Sequence, residues 1–338
     1  MTLSNWTQKD FLALNAEVWK ACAIQAAVSL DLFTALDQER RMGLSIKDLA
    51  KKINCDFRAT EMLVTVLASL GLLIRDGGQV ALKPVSQKYL SANSPSYFGH
   101  SLKHSWHILP AWANLDKSVR TGKKSTQDAA IDSADDSQRE AFLMAMHNIA
   151  KMRAEYVVSR LELTGKRNLL DIGGGPGTYA TAFCRAHSNL KAVIFDLPST
   201  LNVAKKVIKS LGLSNSVSFI AGDYNKDPIP GFYDVIWISQ VLHQETPKNA
   251  QALIKKAADA LVDKGTLAIQ DFLLNDDRRG PTSAALFSLN MLVNTNGGQS
   301  YTVSEITQML QKAGLSKIKE IASDKMLLGS GVITASKL

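Results

Sequence analysis

Residues 168–179, "NLLDIGGGPGTY", hold the first arrangement that could do chemistry: a short apolar run, an acid at its end, and glycines at 173, 174, 175 and 177. A glycine loop between a strand and a helix is a cradle for nucleotide-like ligands. The dinucleotide form needs GxGxxG, and here Thr178 stands where the third fingerprint glycine belongs. Pro176 has no N–H to offer a phosphate, and the carboxylate of Asp171 would be poorly placed beside a pyrophosphate. Asp196 in "IFDLP" and Asp223 in "IAGDY" end the next two apolar runs in the same way. Ligands of open parallel sheets lie at the carboxyl ends of the strands, so acids at three successive strand ends point to one ligand site. The competing reading of Asp196 and Asp223 is that they only start turns.

These residues need a scaffold, and the pattern supplies it. After residue 163 the chain alternates short apolar strands with helical segments: "NLLDIG", "KAVIFDL", "VSFIAGD", "YDVIWISQVL" and "GTLAIQDFLL". That alternation predicts a doubly wound α/β sheet, mostly parallel. "KIKEIAS" and "GSGVITASK" close the chain without room for a crossover helix, so this last pair is expected to be antiparallel. Upstream, apolar spacing predicts one long, mostly buried helix from Asp10 to Leu36. Ser45 then caps a second helix, "ATEMLVTVLASLGLL" forms a third, and "LIRDGGQVAL" forms a hairpin. Together these describe a helical winged-helix domain. Further helix is expected over 96–122 and again from Phe142 to Leu163. The polar stretch "STQDAAIDSADDSQRE" reads as a connection, so the expected division is 1–122, a linker at 123–140, and 141–338.

With 338 residues, 46% apolar and 21% charged, the chain suits two globular domains. The net charge is +8, yet residues 1–90 hold 11 basic and 9 acidic side chains, too even a balance for a nucleic-acid surface. The candidate recognition helix offers Arg58, Thr60, Glu61 and Thr65 among apolar residues, a poor set for reading base edges, so no nucleic-acid partner is expected. The opening "MTLSNWTQKDFL" lacks a signal-peptide pattern, and no apolar run is long enough to span a membrane. A cytoplasmic protein is expected. Cys22, Cys55 and Cys184 are scattered and form no CxxC pair. His100, His104 and His107 share a helical face but have no nearby acid or cysteine, and no metal is expected there.

"LLDIGGGPGTY", "IFDLP", "AGDY", "VLHQETP" and "GGQSYTVSEITQMLQKAGL" stand in the order and approximate spacing of the S-adenosylmethionine-dependent O-methyltransferases of the plant phenolic and hydroxyindole type. The resemblance covers nearly the whole chain. It implies a class I methyltransferase domain, an N-terminal winged-helix dimerisation domain, a homodimer, S-adenosylmethionine as cofactor and a small, aromatic acceptor. By the same matching, Asp171, Gly173, Gly175, Asp196, Leu197, Asp223, Tyr224 and Ser239 bind the cofactor, with Asp196 on the ribose hydroxyls. His243 in "VLHQETP" would be the general base and Asp271 in "AIQDFLL" its orienting acid. Phe142, Met146, His147 and Met291 would line the acceptor pocket, with Trp106 and Trp112 as further walls. Two departures from the family pattern stand near the base: Gln244 replaces an Asp, and Ser300 a second orienting Glu. The alternatives are a C-methyltransferase of the same fold, a noncatalytic regulator that binds the same cofactor, and a DNA-binding winged-helix regulator.

Overall fold

The computed structural model describes residues 6–39, 43–125, 136–322 and 329–338. Packing divides the chain into two units, residues 1–107 and 108–338. Helix α1 (Gln8–Ser29) starts at a capping box in which Thr7 and Asp10 satisfy each other's backbone amides. It does not run on to Leu36. Asp31 adopts a left-handed backbone, φ 53°, and the chain restarts as α2 (Leu32–Asp37). The expectation of burial also holds only for the C-terminal end of α1: Gln25, Ala27 and Val28 are buried, whereas Phe11, Leu14, Val18 and Trp19 are exposed.

Strand β1 (Leu44–Ser45) leads into α3 (Ile46–Lys52), whose first turn is capped by Ser45 Oγ accepting from the Asp48 amide. Asp56 caps α4 (Phe57–Ser69) in the same way, and β2 (Leu73–Asp76) and β3 (Gln79–Leu82) form the expected hairpin. The three strands make an antiparallel sheet in the order β1-β3-β2 over a core of Leu32, Phe33, Leu49, Val64 and Leu67. Arg75 of β2 binds Glu61 and Thr65 of α4, so the polar face of that helix is engaged by the hairpin. Helix α5 (Pro84–Leu90) follows.

The expected helix over 96–122 is two helices, α6 (Gly99–Ala113) and α7 (Leu115–Thr121). The packing division falls inside α6, not at residue 122. Two contacts account for it: α7 packs on a later helix of the second unit, and Trp112 Nε1 donates to Asn290 Oδ1 at 2.9 Å. Of the expected linker, residues 126–135 lie outside the described residues, and residues 136–140 already belong to α8 (Asp136–Lys151). The helix expected from Phe142 to Leu163 breaks at Met152 and continues only as α9 (Ala154–Val158).

From there the sheet builds as β4 (Asn168–Ile172), α10 (Thr178–Ala186), β5 (Lys191–Asp196), α11 (Pro198–Ser210), β6 (Val217–Ala221) and β7 (Tyr233–Ser239). It continues through α12 (Pro247–Asp259), β8 (Leu261–Leu274), α13 (Thr282–Asn294), β9 (Tyr301–Thr302), α14 (Val303–Lys312), β10 (Ser316–Ala322) and β11 (Ser330–Ser336). The order is β10-β11-β8-β7-β4-β5-β6, with β9 paired to the end of β8. β4 to β8 are parallel, and β11 runs antiparallel to both β8 and β10, as the missing crossover requires. The two faces bury separate cores. Leu170, Ile236, Ile238 and Ile269 meet α12 and α14, and Leu169, Val235, Trp237 and Ala268 meet α9, α10 and α11. The strand order reverses about β4, which places a crevice at its carboxyl end. Among the described residues no helix is long and apolar enough to cross a membrane.

Candidate active site

β4 delivers Asp171 to the floor of the crevice, on the α10 face of the sheet. It is buried, and burial pushes its carboxyl up to about 8, with the nearby Asp196 charge adding to the effect and the Ala180 amide opposing it. Its Oδ2 atom has no hydrogen-bond partner.

The glycine loop then crosses above it. A Cβ at Gly173 would stand 2.6 Å from Val241 Cγ2, and one at Gly174 would stand 2.8 Å from Asp171 Cγ, so both positions are closed by packing. Gly175 is different: its φ is +55°, and no atom comes nearer than 3.9 Å to an added Cβ. Its bare backbone leaves room for a ligand to approach. Gly174, absent from the residues singled out by sequence, is needed because the loop passes directly over the Asp171 carboxylate.

Asp196 ends β5 and turns back onto the loop. Its Oδ2 accepts from the Gly175 amide at 2.8 Å, and its Oδ1 accepts from the Leu197 amide at 2.7 Å. Tyr224 lies against the loop as well, its Cε1 3.8 Å from where a Gly173 Cβ would be. Its hydroxyl donates to Glu245 Oε1, and burial together with that carboxylate pushes the phenol well above its usual range. Asp223 accepts from the Asn225 amide and pairs with Lys226, which holds its carboxyl below the ordinary range. This is the turn geometry the competing reading described. Ser239, at the end of β7, donates to Gln270 Oε1 at 2.9 Å.

His243 follows a kink. Gln240 takes a left-handed φ of 59°, which redirects the chain from β7 into a 3-10 turn, Leu242–Gln244. The imidazole is buried, with Nδ1 2.6 Å from Asp271 Oδ1 on the neighbouring strand. The other oxygen, Oδ2, accepts from the His243 amide at 3.1 Å, and Oδ1 also accepts from Phe272 N at 2.8 Å. Facing a carboxylate acceptor, Nδ1 is the nitrogen that carries the proton in the neutral ring, which places the lone pair of that tautomer on Nε2. Phe287 stands edge-on to the imidazole at 4.7 Å and stacks on Phe272 at 3.8 Å. Met291 lies one turn beyond Phe287 on α13, so the two share a face.

Several residues of this construction were not singled out by sequence. Glu245 is buried and accepts from Tyr224, Asn225 and Asn249, joining the loop after β6 to the turn that carries His243. Tyr301 donates to the Glu245 carbonyl at 2.6 Å. Gly298 packs beneath His243, where a Cβ would meet its carbonyl at 2.4 Å. Buried, mutually bonded polar residues leave no sequence period, and only the phenylalanines beside Asp271 and Met291 carried a signal. Ser300, where a second acid was expected, donates to the Ala284 carbonyl and anchors α13. Gln244 is exposed.

Phe142 and Met146 are half-buried on one face of α8. His147 is bound to α10: its Nδ1 lies 2.9 Å from Thr178 Oγ1, and burial lowers its tendency to protonate, helped by Lys151. Trp106 is exposed. Among the described residues no group of three or more His, Cys, Asp or Glu is arranged to hold a metal.

A doubly wound sheet of this order, with a glycine loop above a buried acid and a His–Asp pair beside it, defines a class I methyltransferase. The chain belongs to the O-methyltransferase family: residues 112–316 match the model of the O-methyltransferase domain, and residues 14–92 that of the O-methyltransferase dimerisation domain. The protein is an S-adenosylmethionine-dependent methyltransferase. It is 30% identical to 3-hydroxy-5-methyl-1-naphthoate 3-O-methyltransferase of Streptomyces sahachiroi over 90% of this chain and 88% of that one. It is 27% identical to L-tyrosine C(3)-methyltransferase of Streptomyces lavendulae over 86% and 82%. The structure of human N-acetylserotonin methyltransferase in complex with SAM superposes with a TM-score of 0.87 at 25% identity, covering 100% of this chain and 99% of that one.

Proposed function

We propose that the protein methylates a hydroxyl of a small aromatic molecule, with His243 as general base, Asp271 as its orienter, and a homodimer as the working form. The observation that carries the reading is the buried 2.6 Å His243–Asp271 pair beside the glycine loop. Bound S-adenosylmethionine supplies an electrophilic methyl group. Asp196 would take the ribose diol and Gly175 the close passage of the backbone, with Gly173 letting the loop pack on Val241 and Asp171 placing an acid beneath the loop, under the cofactor's ammonium. Leu197 and Tyr224 would flank the adenosyl group, with Asp223 and Ser239 as further polar contacts. His243 Nε2 takes the proton of the acceptor hydroxyl as that oxygen becomes a nucleophile. Asp271 then stabilises the imidazolium and prevents the ring from turning. Phe142, Met146, Met291 and Phe287 supply an apolar wall suited to a flat ring.

The dimer is supported by α1. Phe11, Leu14 and Val18 recur at helical spacing and are 60%, 57% and 51% exposed, with Trp19 at 71%. Leaving such side chains in water forgoes roughly 1.5–3 kcal/mol apiece, a cost that a second copy removes. The N-terminal helix, turn, helix and hairpin form a winged-helix unit used for association.

The test is an acceptor panel of hydroxynaphthoates and hydroxyindoles, with the methylated atom located by NMR. O-methylation, with His243→Ala lowering turnover by about 100-fold or more at unchanged cofactor affinity, is the expected result. A methyl group found on carbon would refute the base assignment.

A further inference from the structure

The loop after β6 carries Asp223 and Tyr224, and its own bonds shape only part of it. The Asp223 carbonyl accepts from the amides of Lys226 and Asp227 at 2.9 and 2.7 Å, and Asp227 Oδ2 accepts from the Asp223 amide at 2.8 Å. These bonds turn the chain tightly and leave the carbonyls of Tyr224, Asn225 and Asp227 to be satisfied from elsewhere. The three converge on one atom. Lys256 Nζ, reaching over from the last turn of α12, donates to them at 2.9, 3.3 and 2.9 Å. An ammonium has three N–H donors and no acceptor, so this one is wholly engaged by the loop.

Two features set Lys256 apart from an ordinary surface lysine. Its neighbour Lys255 is exposed and pairs with Asp259 on the same helix, whereas Lys256 is half-buried and puts its charge on the backbone of another element. Nor does α12 need it for docking, because Ala250, Leu253, Ile254 and Ala257 already bury that helix in the core. What the bonds do fix is the loop, and charge-assisted bonds fix it more firmly than neutral ones. From the other side Glu245 accepts from the Tyr224 hydroxyl and from Asn225 Nδ2. Tyr224 is thus held by a cation at its backbone and by an anion at its hydroxyl, with its ring against the glycine loop.

We infer that Lys256 is a positioning residue for cofactor binding: its ammonium organises the 224–227 backbone so that the Tyr224 ring stands ready beside the adenosyl group, without itself touching the cofactor. The inference rests on the placement of Tyr224 against that group. Order built into the free protein lowers the ordering cost of binding, so the effect of Lys256 falls on affinity.

Calorimetry of the full chain with S-adenosylhomocysteine tests this across a series at one position, with melting temperatures of the cofactor-free variants to show that each is folded. Lys256→Met keeps most of the side-chain length and removes every donor, so the dissociation constant should rise by about tenfold. Lys256→Arg keeps charge and donors and should stay within about threefold of wild type, and Lys256→Gln, with two donors and no charge, should fall between. Tyr224→Ala should itself weaken binding by about tenfold. Because Lys256 acts through Tyr224, adding Lys256→Met to Tyr224→Ala should leave the loss near about tenfold, where independent effects would give about 100-fold. Unchanged affinity in Lys256→Met, an equal loss in Lys256→Arg, or additive losses in the double variant would each overturn the inference. Wild-type affinity in Tyr224→Ala would remove Tyr224 from the cofactor site and take the inference with it, a failure recognised from that variant alone. If Lys256→Met does not fold, Lys256→Gln carries the same comparisons.

Discussion

Asp271→Asn is the sharpest test of the proposed base, because it keeps the size of the side chain and changes only what its two terminal atoms can do. The carboxylate accepts three hydrogen bonds: Oδ1 from His243 Nδ1 and Phe272 N, and Oδ2 from His243 N. An amide has one acceptor oxygen and one donor nitrogen. With its oxygen at the Oδ2 position, the NH2 group faces Nδ1, which must then accept, and the proton moves to Nε2, where no base is left. With its oxygen at the Oδ1 position, the tautomer survives, but the NH2 group opposes the His243 amide, and a buried backbone donor loses its partner at a cost of about 1–3 kcal/mol. Either way the negative charge that stabilises the imidazolium is gone.

A positioned general base contributes roughly 10²–10⁴ in rate, so turnover should fall by about 100- to 1000-fold. Cofactor affinity should stay within about twofold of wild type, because Asp271 and the Ser239–Gln270 pair project from opposite faces of β8. Single-turnover measurement of methylated product, with calorimetry for the cofactor, separates the two quantities. Asp271→Ala is the poorer probe, since it orphans one buried and one half-buried amide and costs about 2–6 kcal/mol of stability. If Asp271→Asn turned over its acceptor at more than a third of the wild-type rate, transfer would not depend on an oriented imidazole, and the mechanism would fail.

Four further outcomes are expected. Asp196→Ala should weaken S-adenosylmethionine binding by about tenfold or more, because it removes both the proposed diol acceptor and the hold on the Gly175 amide; calorimetry reads it, and unchanged affinity rejects the assignment. The Asp171 carboxyl titrates at about 8 in the fold against an ordinary 3.8, so between those values the folded chain keeps a proton the unfolded chain has lost. Stability of the cofactor-free protein should therefore fall as pH rises from about 4 to 8, and Asp171→Asn should flatten that slope in denaturant titrations. Glu245→Gln should raise the dissociation constant of the cofactor more than it lowers the transfer rate, because the carboxylate holds Tyr224 and Asn225; an equal effect on both would place its role at His243 instead. Light scattering at micromolar concentration should give twice the chain mass, and Phe11→Asp with Val18→Asp should give the monomer.

The two kinds of site information differed in how far the sequence exposed them. The positions of Asp171 and Asp196 at strand ends were legible because each strand there is a continuous apolar run whose end is plain, whereas Asp223 forms the turn that was the competing reading and Asp271, inside β8, was singled out only through the family resemblance. The antiparallel β11 followed from the absence of a crossover, and Ser45 and the Gly77–Gly78 turn from local capping and turn chemistry. The break at Asp31 was not legible, since the apolar spacing runs through it without interruption. Nor was the exposure of α1, because an apolar helix reads the same whether its own domain or a second copy covers it. Glu245 shows the remaining limit most clearly. In sequence it is an ordinary acid beside Thr246 and Pro247, yet it is buried and holds Tyr224, Asn225 and Asn249 together. Its three donors come from the loop after β6 and the start of α12, elements that meet only when β7 is inserted between β4 and β8. The loop after β6 and the turn bearing His243 are thus joined through one carboxylate whose partners are fixed by topology.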